Sequence, residues 1–178
     1  MSAVTEPDVK LAFRRVAGAF PTGVCVVTAQ SGGQPAGMTL NSFTSVSLEP
    51  LLVLVSLAHG SRTLGGVRRA GAFAVSVLQR GQRQVAADFA TRDEVFPEAH
   101  VRRTADGFLL VRHALAFITC EVERLVPAGD HDLVLGRVLE FGIDAGEPLV
   151  FHAGQFGGVV SDGPAPEGFA FLDEGAGW

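Results

Sequence analysis

Between Gly37 and Pro50 the chain reads Gly-Met-Thr-Leu-Asn-Ser-Phe-Thr-Ser-Val-Ser-Leu-Glu-Pro, an extended run crowded with hydroxyls and one amide. A strand entering a core normally avoids so many small polar side chains, because each buried polar atom needs a hydrogen-bonding partner. Thr39, Leu40, Asn41, Ser42 and Ser45 therefore have two readings: a polar strand edge facing solvent, or a row of donors for a flat polar ligand. A second group follows at Ser61-Arg62-Thr63, in front of a short helical pattern that Gly71 stops. Free N–H groups at a helix start, two hydroxyls and a guanidinium together suit an anion. The plainer alternative is a serine cap beside an exposed arginine. The third group is Gly129-Asp130-His131, a turn with a local Asp130 bond or a mount for a histidine that titrates near neutrality. The fourth is Leu149-Val150-Phe151-His152-Ala153-Gly154-Gln155-Phe156.

Other familiar chemistries lack their residues. His59, His100 and His113 are scattered without ligand spacing, so no metal site is expected. Cys25 and Cys120 lie in β-branched runs and read as small buried hydrophobes in a reducing compartment. Asp8, Glu49 and Glu121 form no recognisable acid/base pair. There is neither a GxGxxG fingerprint nor a Walker-type loop, which argues against a Rossmann dinucleotide fold.

The elements that must carry these groups are mainly strands. Thr5-Glu6-Pro7-Asp8 reads as a helix start, with Val9, Ala12, Phe13, Val16 and Phe20 at helical spacing until Pro21-Thr22-Gly23. Strands are expected at residues 24–29, 51–57, 73–78, 115–126, 133–143 and 149–152, with the polar run at 37–46 also extended. The 51–57 run does not alternate, so burial on both faces is expected. Short helices follow Ser61 and span residues 82–90, the latter with Val85, Ala86 and Phe89 on one side. Residues 92–110 read as a long loop. Strands and helices do not alternate, which favours a mainly β fold with flanking helices: a closed or partly closed antiparallel barrel.

At 178 residues, 47% apolar and 19% charged, the chain supports one core and one domain, residues 1–160, followed by a Gly/Pro-rich acidic tail at 161–178. The net charge of −5 offers no footprint for nucleic acid. The longest apolar run, residues 51–58, contains Ser56 and is too short to span a bilayer. No basic region followed by an apolar one opens the sequence, so a cytoplasmic location is expected.

Taken in order, the four groups resemble the short-chain flavin reductases over residues 13–158. They look most like the reductase partners of two-component flavin monooxygenases, including those of antibiotic pathways such as actinorhodin. The resemblance implies an FMN-binding split β-barrel, antiparallel and Greek-key-like. It implies an NAD(P)H:flavin oxidoreductase that passes hydride from NADH or NADPH to FMN or FAD and supplies a partner monooxygenase. It implies that Thr39, Leu40, Asn41, Ser42 and Ser45 line the flavin ring, with Ser56 and Leu57 bordering it. Ser61 and Thr63, flanking Arg62, would hold the flavin phosphate. Ala86 and Phe89 match positions bordering the flavin, and as readily read as plain core. His131 would act at the mouth of the site, where Phe151, His152 and Gly154 meet the nicotinamide. A homodimer is implied, with the apolar N-terminal helix and the C-terminal region as candidate interfaces.

Two positions depart from the pattern. Ala153 stands where relatives carry arginine, and Ser76 where they often carry asparagine. The first removes a cation that would meet a nucleotide phosphate. It keeps open a second reading, a non-catalytic flavin-binding or flavin-carrier protein of the same fold.

Overall fold

The computed structural model describes residues 6–91, 95–160 and 163. In chain order the elements are α1 (Glu6–Ala17), β1 (Thr22–Gly23), β2 (Cys25–Ser31), β3 (Gln34–Leu40), β4 (Thr44–Leu48), β5 (Leu51–Ala58), α2 (Arg62–Ala70), β6 (Ala72–Val77), α3 (Arg83–Ala90), β7 (Val101–Arg103), β8 (Leu109–Val111), β9 (Ala116–Ala128), β10 (His131–Ile143), β11 (Val150–His152) and β12 (Gln155–Gly157). No helix among the described residues is long and apolar enough to cross a membrane.

Seven strands form one antiparallel sheet in the order β3-β2-β6-β9-β10-β5-β4. Its axis is the ribbon of β9 and β10, each 13 residues long. The ribbon carries register shifts at Leu135/Gly136 and at Val138/Glu140. Bulges bend a strand and raise its twist. Here they let the ribbon serve both sides of a curled sheet: residues 131–137 of β10 pair with β5, and residues 116–121 of β9 pair with β6. The concave side holds Val27, Val55, Leu57, Phe73, Val75 and Val134, and α2 closes it with Leu64 and Val67. This is the split-barrel architecture, mainly β with helices outside.

The polar run expected as one strand at 37–46 breaks in the structure. β3 ends at Leu40, β4 begins at Thr44, and these two strands lie on opposite edges of the sheet. Residues 41–43 therefore carry the chain across the split. The Ser42 hydroxyl holds the crossing on β5: it accepts from the Ser56 N–H and donates to the Ser56 carbonyl, both at 3.1 Å.

Three other expectations change. β5 alternates, with Val53, Val55 and Leu57 buried and Leu52, Leu54 and Ser56 half-buried, because it faces the core on one side only. Residues 92–110 are not one loop: residues 101–103 and 109–111 pair as a hairpin. Val101, Leu109 and Val111 join Val24, Val26, Leu78, Ala86, Phe89 and Leu149 in a second core. Val101-Arg102-Arg103 and Leu109-Leu110-Val111, one mostly charged and one wholly apolar, are too short and too unlike to announce this. Residues 149–152 leave the barrel, since β11 pairs with β1 and β12 in a separate three-stranded sheet. The expected tail at 161–178 lies outside the described residues apart from Gly163.

The hairpin explains Ser76. Its buried hydroxyl accepts from the Val111 N–H at 3.0 Å, and the Thr28 hydroxyl donates to the Leu109 carbonyl at 2.5 Å. Cys25 and Cys120 are buried and unbonded to each other, and burial pushes both thiols up to about 12, which leaves them inert at neutral pH. α1 differs from the rest, because Val9, Leu11, Phe13 and Val16, with Phe20 just beyond the helix, are each more than half exposed.

Gly136 sits where the ribbon bends, and a Cβ there would stand 2.5 Å from Phe73 Cζ and 2.8 Å from Cys120 Cβ. Gly136→Ala is expected to cost about 1–3 kcal/mol by overpacking, read as a melting temperature lowered by roughly 3–10 °C in a thermal unfolding scan.

Candidate active site

The end of β5, the loop behind it and the first turn of α2 form the base of the site. Ser61 is extended (φ −69°, ψ 139°) and its hydroxyl oxygen accepts from the Leu64 N–H at 3.1 Å. This is the N-cap arrangement that the sequence suggested, and Gly71, with φ 64°, ends the helix by donating to the Val67 carbonyl at 2.9 Å. Capping uses one of the two lone pairs of the Ser61 oxygen and leaves its hydroxyl proton to donate. The first turn of α2, which begins at Arg62, points its backbone N–H groups out of the helix start.

These groups open on a cavity of about 610 Å³. Its walls are residues 37–39 of β3, residues 58–63, and residues 89–91 at the end of α3. Thr39 lines it, but its hydroxyl donates to the Ala86 carbonyl at 2.7 Å and so ties β3 to α3. Phe89 forms an aromatic wall with Phe96, edge to face at 5.5 Å. Gly37 permits that wall: a Cβ there would lie 2.9 Å from Phe89 and 3.1 Å from Phe96.

A second cavity, also about 610 Å³, lies between α1 and the β11–β12 hairpin. Asn41, Phe151, Ala153 and Gly154 line it, together with Arg14 and Arg15 of α1. The Asn41 amide donates to the Thr22 hydroxyl at 3.1 Å. Ala153 and Gly154 occupy the hairpin turn with φ of 48° and 82°. The left-handed conformation is uncommon for alanine, and the Ala153 N–H donates to the Gly18 carbonyl at 2.9 Å, which fixes the turn against the end of α1.

The structure thus gathers Thr39, Ser61, Arg62, Thr63 and Phe89 around one cavity, and Asn41, Phe151 and Gly154 around the other. Ser42 sits on the crossing between the sheet edges, bonded to Ser56 of β5. Leu57 and Ala86 are fully buried and Leu40 nearly so, with side chains in the two cores. Ser45 is exposed on β4, and His152 on β11. His131 opens β10 opposite Ala58, and its Nδ1 lies 2.7 Å from Asp130 Oδ1. That bond holds the exposed Asp130 carboxyl below its usual range.

One group escaped the sequence reading. Asp132 follows His131 in phase with the buried Val134, so its carboxylate points inward and is 2% exposed. Its Oδ1 lies 2.8 Å from His59 Nε2, and its Oδ2 accepts from Arg68 of α2 at 2.5 Å. The Arg68 bond first, then the His59 bond, hold its carboxyl below the usual range. The readable signal was an acidic residue at a core phase of an alternating strand, which demands partners.

Hydroxyl, guanidinium and helix N–H donors, set beside apolar and aromatic walls, suit a planar ligand that carries a phosphate. On a split barrel this donor set is one that a flavin would fit. Comparison with known proteins agrees. The family model described as a flavin reductase like domain matches residues 17–159. The chain is 43% identical over 159 residues to the NADH-dependent FMN reductase AsuE2 of Streptomyces nodosus subsp. asukaensis, covering 85% of each. Among solved structures it is similar to the NADH:FAD oxidoreductase SgcE6 of Streptomyces globisporus, at 36% identity and TM-score 0.84, with 92% of this chain and 100% of that one covered. It is also similar to BorF, the flavin reductase component of a bacterial two-component tryptophan halogenase, at 38% identity and TM-score 0.80, with 85% and 99% covered. The chain belongs to the flavin reductase family, and is related to the reductase components of two-component monooxygenases.

The sign of the Asp132 shift sets a pH test. A carboxyl whose folded pKa is depressed stabilises the fold above its unfolded value, about 3.9, and loses that contribution as pH falls through the depressed value. Asp132→Asn should therefore melt below the native protein at pH 7, with the gap closing as the pH is taken below about 4.

Proposed function

We propose that this protein is an NAD(P)H:flavin oxidoreductase that reduces FMN or FAD and passes it to a flavin-dependent monooxygenase. The observation that carries this reading is the joining of the Ser61–Thr63 helix start and the Thr39 strand in one cavity, in a chain of the flavin reductase family. When bound, flavin and nicotinamide together supply the hydride chemistry, which needs their reacting atoms about 3–3.5 Å apart and little from acids or nucleophiles. The chain's part is to hold them. Ser61, Arg62 and Thr63 grip the phosphate through hydroxyl, guanidinium and N–H donors. Thr39 and Phe89 border the ring, Leu40, Leu57 and Ala86 back it from the cores, and Asn41, Ser42, Ser45 and Ser56 lie along the adjoining strands and crossing. His131, kept in orientation by Asp130, meets the nicotinamide together with Phe151, His152 and Gly154.

The carrier reading rests on Ala153, which deprives the hairpin of a cation. Arg14 and Arg15 line the same cavity as Ala153, and two guanidiniums there support a catalytic reading over a carrier. The exposed apolar row of α1, from Val9 to Phe20, supports a homodimer in which a second copy covers it. A cytoplasmic location belongs to the same proposal.

Purified protein should oxidise NADH or NADPH only with added FMN or FAD, followed by loss of nicotinamide absorbance. Flavin binding without turnover by either nucleotide would favour the carrier. The double substitution Ser61→Ala, Thr63→Ala should weaken flavin binding by about tenfold or more, since each lost bond to a charged group is worth about 1.5–3 kcal/mol; unchanged affinity would remove the phosphate assignment. His131→Ala should raise the Michaelis constant for the nicotinamide several-fold more than that for flavin, and equal effects would argue against its role.

A further inference from the structure

Among the described residues two apolar surfaces stay open, and their shapes are complementary. The first is α1. Every side chain from Asp8 to Ala17 is exposed, and the helix packs along no other element of its own chain. It is tied to the body just past its end, where the Gly18 carbonyl accepts from the Ala153 N–H. A helix of 12 residues is marginal in water without a packed face. Val9, Phe13 and Val16 recur at helical spacing and form one apolar stripe. The second surface is the far end of the sheet. Leu51 is in phase with the buried Val53, Val55 and Leu57 of β5, and Leu48 of β4 is its registered neighbour. Phe141 of β10 stands opposite Ile118, which packs on the first core, and Ile143 follows two residues on. All four therefore continue the concave face. The pairing of β5 with β10 stops at Arg137, and α2 closes only the other end, so Phe141 is 66% exposed and Ile143 81%.

Resting on the reading of this protein as a homodimer, we propose that two copies exchange α1, the apolar stripe of each helix lying across the β4–β5–β10 face of the other. The three strands, spaced about 4.8 Å apart, span about the width of one helix. Charge agrees with the fit. Arg14 and Arg15 end α1, the exposed Glu49 and Glu140 sit beside the apolar residues of the face, and none of the four forms an ion pair among the described residues. One twofold axis makes both contacts at once and leaves neither surface open. The area covered on the two copies is on the order of 2,000 Å², within the range of stable interfaces, which begins at about 1,200 Å². Phe13, at the edge of the stripe, also lines the cavity between α1 and the β11–β12 hairpin. The copy that holds α1 therefore fixes one wall of its neighbour's second cavity.

The test is which positions of two copies can be joined. Cys25 and Cys120 are buried with thiols pushed up to about 12, so they stay silent toward a short bismaleimide at neutral pH. A tagged chain carrying Val16→Cys is co-expressed with an untagged chain carrying Ile143→Cys. Both positions are exposed, so neither substitution threatens the fold. Val9→Cys with Leu48→Cys makes a second pair. At least one pair should join the tagged chain to the untagged one. Tagged chains joined only to each other would place α1 on α1 and overturn the exchange, and so would the absence of any link between chains in both pairs. Phe141→Asp sets a charge on the receiving face and lies off both cavities. In analytical ultracentrifugation it should raise the dimer dissociation constant about a hundredfold, because symmetry counts the loss twice; an unchanged constant overturns the inference. A dimer without a link from α1 to the sheet overturns the exchange alone. A native protein that sediments as a monomer overturns the homodimer reading with it.

Discussion

The bulged pairing of β9 with β10 is the constraint on which the rest of the molecule depends. A straight ribbon of that length would give a flat sheet with two distant edges. The two register shifts, with Gly136 leaving room for the Phe73 ring, bend it until the sheet wraps a core. Because the ribbon bends, β5 ends beside the β9–β10 turn, and the loop after β5 can be tied to that turn by the His59 N–H. The start of α2 is thus positioned by the curl of the sheet as much as by its own cap.

A second theme is the use made of buried polarity. Thr28, Thr63, Ser76, Thr119 and Asp132 are all buried, and among the described residues no buried side-chain polar atom is left without a partner. Ser76 and Thr28 anchor the β7–β8 hairpin, and Asp132 braces α2 against β10. Each bond joins segments distant in sequence, where apolar packing alone would tolerate a slip in register. Hydroxyls that look alike in the sequence therefore divide into those that lock the scaffold and those that face the cavities.

That division marks the limit of what the sequence conveyed. The helix from Ser61 to Gly71 was legible because its cap and its stop are local, and so were the long strands, whose apolar periodicity is sustained. The break at residues 41–43 was not legible. Its cause is the placing of β3 and β4 on opposite edges, a property of the whole sheet. The β7–β8 hairpin was missed because three-residue strands carry no period. Asp132 was passed over because its partners lie on another strand's loop and on a helix 64 positions away in the chain. Arg14 and Arg15 gave no signal in the sequence, because only the fold places the β11–β12 turn beside them.

The crossing at residues 41–43 has a mechanical consequence. From Leu40 to Thr44 a fully extended chain reaches about 14 Å, so the two edges of the sheet are leashed at that end. Opposite edges joined by so short a span behave like book covers on a spine. The Ser42–Ser56 bonds stitch the spine itself. The polar run thus limits how far the two edges can part at this end of the barrel.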